Sequence, residues 1–113
     1  MSLIYKISPE GAWRAAEAAG VYTGAPVDLA DGFIHFSAAD QLGETAAKHF
    51  HGQTDLLLIA VDTDTLGDAL KWEPSRGGAL FPHLYDDLKM NAVVWVKPLP
   101  LDADGRHRFP EEL

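Results

Sequence analysis

Along the first half of the chain, apolar positions recur at helical spacing between short extended runs. Leu3 to Ile7 suits a short strand, and Ser8-Pro9-Glu10 reads as a helix start. Serine would be the N-cap, proline the first helical residue, and glutamate would oppose the dipole. Ala12, Trp13, Ala16 and Ala19 then form a stripe that turns Trp13 inward, and Gly20 is placed to close the helix in a left-handed cap. Val21 to Leu29 has no clean period and reads as a surface loop anchored by Tyr22. Asp31-Gly32 turns the chain into a strand over Phe33-Ile34-His35-Phe36, so that Phe33, His35 and Ser37 share one face. Ser37 with Asp40 resembles a capping box that opens a helix carrying Leu42, Ala46, His49 and Phe50.

The second half reads mainly as strands. Leu56 to Val61 is apolar without alternation, which predicts a central strand covered on both faces. Asp62 to Leu70 holds at most one helical turn before Lys71-Trp72-Glu73, and Ser75 to Gly78 is a flexible loop. Phe81 to Tyr85 is extended because of Pro82, Ala92 to Val96 is a last strand, and the tail turns at Asp104-Gly105. Helices gather early and strands late, which predicts an α+β fold. A length of 113 residues predicts one domain spanning residues 1–113.

Composition narrows the function classes. The chain has 47% hydrophobic and 23% charged residues, ordinary globular values. With no cysteine, a disulfide scaffold, a thiolate metal site and a cysteine nucleophile are excluded. A net charge of -8 disfavours nucleic acid as a partner, because phosphate backbones are neutralised by lysine and arginine. The longest apolar run is far short of the ~20 residues of a membrane span, and the N-terminus lacks the layout of a signal peptide, so a cytoplasmic location is expected. The G-x-S-x-G, G-x-x-x-x-G-K, G-x-G-x-x-G and H-E-x-x-H motifs are missing. His49 and His51 lie at i and i+2 across a helix end, so their rings point apart rather than converging on one ion, and no metal is expected.

His35 is the residue that asks for an explanation. A histidine in mid-strand must satisfy two ring nitrogens, either as a core residue bonded to backbone or as a ring facing a ligand. His83 and Tyr85 form a second pair at i and i+2, so their rings share a side. If the two segments meet, imidazoles, a phenol and the Ser37 hydroxyl would line a site for a polar molecule with a planar ring. Glu73 either is solvated or serves there as a general base, and Arg76 either meets an anion or forms a surface ion pair.

Taken together, the Ile4-Tyr5 strand, Trp13, Gly20-x-Tyr22, Gly32-Phe-Ile-His-x-Ser37 with Gln41, Trp72-Glu73, Phe81-Pro-His-x-Tyr85 and Gly105 to Pro110 resemble the bacterial family called Domain of Unknown Function 952. The resemblance covers nearly the whole chain. It implies an ADP-ribosyltransferase-like fold, a split mixed β-sheet with flanking helices whose crevice holds NAD or an ADP-ribosylated intermediate. On that analogy NAD is a possible substrate or ligand. The crevice is lined by residues 32–37 and 81–85, with His35, His83 and Glu73 as catalytic candidates. Tyr5, Lys6, Ser37, Arg76 and Tyr85 become ligand-binding candidates. Two positions depart from the family pattern: Lys6 stands where histidine is usual, and Asp86-Asp87 replace Gly-Pro. Both departures, with the scarcity of arginines, favour a non-catalytic binding or protein-interaction module as the alternative to an enzyme.

Overall fold

The unbroken apolar run forms strand β4, Leu56–Asp62, at the centre of a three-stranded sheet. Its neighbours are β1, Leu3–Pro9, and β8, Val93–Pro98, both antiparallel to it. The reason for its missing alternation is visible in the packing. Leu57, Ile59 and Val61 enter one apolar cluster with Ile4, Trp13, Ile34 and Leu84. Leu56, Leu58 and Ala60 enter a second cluster on the opposite face with Tyr5, Ile7, Leu42 and Ala46. A strand buried on both sides has no solvent face to mark with polar residues. The computed structural model describes residues 2–111 and 113, and at Arg76 the backbone alone.

Helix α1, Glu10–Ala19, covers the first cluster through Trp13, whose ring lies 5.4 Å from that of Tyr22. It starts one residue later than predicted. Pro9 is the N-cap, and the buried Ser8 hydroxyl donates instead to the Pro9 carbonyl. Gly20 does take the left-handed conformation and closes the helix. Helix α3, Leu42–His49, packs on the second cluster. Ser37 does not cap it: the turn before α3 is closed by the Gln41 side chain, which accepts from the Ala38 N–H.

The predicted loop over 21–29 is structured. It holds the short strand β2, Val21–Tyr22, and helix α2, Pro26–Asp31, which ends at left-handed Gly32. A helix this short has no room for an amphipathic period, so its only sequence signals are Pro26 at the first position and Asp28 at the third. Strand β3 is also shorter than predicted, Ile34–His35. A single turn, α4, Thr63–Leu66, follows β4 and is capped by Asp62, which accepts from the Asp64 N–H.

A second three-stranded sheet contains β3, β6 (Leu80–Leu84) and β5 (Leu70–Pro74), in the order β3-β6-β5. Strand β7, Leu88–Lys89, pairs with β2 in a third, two-stranded sheet. The fold is therefore α+β. All these strand pairs are antiparallel, which corrects the expectation of a mixed sheet. The chain that leaves β3 ties the first two sheets together, because Phe36 N–H donates to Pro82 and Ser37 exchanges two backbone hydrogen bonds with Tyr5. Among the described residues, no helix is long and apolar enough to cross a membrane.

Candidate functional site

Register places the two histidines together. Because β3 and β6 pair with His35 opposite His83, both rings stand on the same face of the second sheet, 5.4 Å apart at their centroids and nearly perpendicular. The next position on that face is a pair of aromatic residues, Phe33 and Tyr85, with centroids 5.1 Å apart. From β5, Glu73 reaches the same face. The two motif segments thus meet as hydrogen-bonded neighbours within one sheet.

His35 is held by a buried carboxylate from the segment predicted to be a loop. Asp28, whose side chain is only 1% exposed, accepts from Lys6 Nζ at 2.9 and 3.1 Å, from Ala25 N–H at 2.7 Å and from His35 N–H at 3.1 Å. Its Oδ1 also lies 2.6 Å from His35 Nδ1. Burial pushes the Asp28 carboxyl up, but the His35 hydrogen bond, the Lys6 charge and the Ala25 N–H outweigh it and hold the group well below the usual carboxylate range. Burial also lowers the Lys6 ammonium, against the pull of Asp28. Lys6 Nζ completes its bonding on the His35 carbonyl at 2.9 Å. The second His35 nitrogen, Nε2, lies 2.9 Å from Asp31 Oδ2. A neutral imidazole has one N–H, so only the doubly protonated ring donates to both carboxylates.

Close approach of α2 makes this possible. Gly24 has φ +120, and a Cβ there would stand 2.8 Å from the Asp28 Cβ. Glycine at 24 therefore leaves the room in which Asp28 reaches inward.

His83 is oriented by a different carboxylate. Its Nδ1 lies 2.9 Å from Glu73 Oε1, which also accepts the Tyr85 hydroxyl at 2.6 Å. These two hydrogen bonds, that of Tyr85 first, lower the Glu73 carboxyl, and the same contact raises the Tyr85 phenol. His83 Nε2 is buried and has no partner among the described residues. Of the two histidines, His83 alone keeps a ring nitrogen not engaged by a carboxylate, so it is the better placed to exchange a proton with a ligand.

The remaining candidates divide. Lys6 touches the site only from below, as the partner of Asp28 and of the His35 carbonyl. Tyr5 points to the opposite face of the first sheet, where its ring lies 5.9 Å from Trp95. The buried Ser37 hydroxyl bonds Thr45 Oγ1 at 3.0 Å and does not join His35. The strand ends at His35, so the alternation that put Ser37 on its face stops there. The Arg76 side chain lies outside the described residues. Asp28 and Asp31 were missed. The signals were an aspartate three residues into a proline-initiated turn and a second one four residues before the histidine. Among the described residues, no group of three or more acidic or imidazole side chains is arranged to hold a metal ion.

Comparison with known proteins adds identity without chemistry. A crystal structure of protein CC0527 from Caulobacter crescentus is 55% identical, with 95% of this chain and 94% of that chain covered and a TM-score of 0.90. The solution NMR structure of the same protein is 54% identical, covers 100% and 97%, and has a TM-score of 0.88. No curated protein matches. A family described as "Protein of unknown function (DUF952)" matches residues 7–96. With most of its length matched, this chain belongs to the DUF952 family.

Proposed function

We propose that this protein binds a small organic molecule carrying a planar ring, on the face of the second sheet where His35, His83 and Tyr85 stand together. One observation carries the reading. A buried ion pair, Lys6 with Asp28, is devoted to fixing the orientation of a partly exposed imidazole. Buried pairs are often no more stabilising than apolar residues of the same size, so their retention beneath a surface histidine fits preorganisation of a binding group. Glu73 and Tyr85 orient His83 in the same way.

The family resemblance suggests an NAD-like or ADP-ribosyl nucleotide as the ligand, with His83 and Glu73 as the acid–base pair if a transfer reaction occurs. A second reading, a binding module without chemistry, draws support from the engagement of Lys6 and of both His35 nitrogens by carboxylates, which leaves few groups free to react.

Thermal denaturation with NAD, ADP-ribose and their nucleosides tests the reading, since a ligand at about 100 times its Kd stabilises by ~2.7 kcal/mol. Binding that is lost in His35→Ala or His83→Ala is the expected result. Failure of every compound to move the melting point sinks it. Release of nicotinamide from NAD, lost in Glu73→Gln, distinguishes an enzyme from a module.

A further inference from the structure

Phe33 is a large aromatic residue that belongs to neither apolar cluster. Its ring lies instead on the candidate site, 4.1 Å from the His83 imidazole with the planes 29° apart, 4.6 Å from His35 and 5.1 Å from Tyr85. An apolar ring surrounded by two imidazoles and a phenol satisfies none of their polar atoms. Beneath it the His83 side chain is only 5% exposed, and Nε2 has no partner among the described residues. A buried nitrogen without a partner is unfavourable, and a ligand group that reaches it relieves the penalty.

The local backbone suits a moving ring. Phe33 sits on a bend between α2 and β3, is only partly buried, and follows Gly32, at φ +85 with no atom within 4 Å of where a Cβ would stand.

We propose that Phe33 is a displaceable plug that occupies the seat of the ligand's planar ring on the His83 imidazole, and that a polar arm of the same ligand reaches Nε2 in the plane of that imidazole. The inference rests on the binding function proposed above. The arm is a hydrogen-bond donor: with Nδ1 donating to Glu73, the neutral ring carries its lone pair on Nε2. With carboxylates from Asp31 and Glu73 and the Lys71 ammonium opposite His83 in the register, this face carries charges of both signs, and Nε2 asks of the arm only a donor, which a hydroxyl supplies. A planar ring with a hydroxylated arm describes a nucleoside.

Titration calorimetry and ring nitrogen NMR with adenosine and with nicotinamide riboside test this in wild type, Phe33→Ala and Phe33→Leu. The expected result is binding that shifts the His83 nitrogen signals and that Phe33→Ala tightens by about tenfold or more, because the open state no longer has to compete with the plug. Phe33→Leu, which keeps apolar bulk without the flat ring, should tighten it in the same direction and serves if the alanine variant does not fold. Binding by Phe33→Ala alone overturns the binding function of the natural protein and the plug with it. If wild type binds with the His83 shift and neither variant binds more tightly, the plug is wrong while the binding function stands. If neither nucleoside binds any of the three proteins, both fall.

Discussion

Asp28 and His35 are joined twice, by the His35 backbone N–H at 3.1 Å and by its ring Nδ1 at 2.6 Å, both on the same carboxylate oxygen. A single buried atom therefore anchors the end of β3 and sets which way its imidazole points. Because the other oxygen takes Lys6 from β1 and Ala25 from the start of α2, Asp28 ties β1, twenty-two residues away, to the α2–β3 segment.

Removing the Asp28 charge should be among the most damaging polar substitutions. Asp28→Asn leaves the Lys6 ammonium buried without a counter-ion, and a loss of about 3–5 kcal/mol in urea unfolding is expected. The double variant Lys6→Met with Asp28→Leu should recover much of that loss while freeing the His35 ring. A cost for Asp28→Asn below about 1 kcal/mol would show that the pair does not hold the fold.

Acid should act through the same residue. Asp28 is held below its unfolded value of 3.8, so the stability it contributes is complete above that value. It is lost as pH falls from there toward the depressed folded value, where the native carboxylate is at last protonated. Urea midpoints measured from about pH 5 down to pH 2 should fall steeply in wild type. They should fall less steeply in Asp28→Asn, and parallel curves for the two proteins would assign the acid limb to other groups.

Two glycines should respond oppositely to alanine. Gly24→Ala meets both a left-handed φ and the Asp28 Cβ, and is expected to cost more than about 1 kcal/mol and to loosen the His35 ring. Gly11→Ala, in α1 with nothing within 4 Å, should gain up to about 1 kcal/mol. Equal effects at the two sites would remove the steric reason for Gly24.

Glu73→Gln should leave the fold intact and change His83. The carboxylate accepts from both Nδ1 and the Tyr85 hydroxyl, so it holds the ring with its proton on Nδ1. An amide that can also donate permits the other tautomer. Nitrogen NMR of the His83 ring is expected to show Nδ1–H alone in wild type and a mixture in the variant. Identical spectra would mean that Glu73 does not set the tautomer.

Short-range patterns were legible where one physical effect dominates. The double-sided burial of β4 showed in six consecutive apolar residues, Leu56 to Val61. The inward turn of Trp13 and the Gly20 cap followed from helical spacing and a glycine in the right place. The shared side of His83 and Tyr85 followed from strand alternation, and both now stand with Glu73. Helix α2 was not legible as a helix, since six residues carry too little periodicity to outweigh Gly24 and Pro26.

The sequence by itself determined which stretches are apolar on both sides, where α1 ends, and that His35 must find polar partners, because these depend on neighbours within a few residues. Only the tertiary structure decided which partners those are. Asp28 is seven residues away and Lys6 twenty-nine, and His83 comes opposite His35 through the register of β3 on β6. Tyr5 and Ser37 were separated from His35 for the same kind of reason, since their faces are set by the pairing of β1 with β4 and by the end of β3. Side-chain alternation is a local property, but which faces meet depends on strand register and on the buried charge that fixes it.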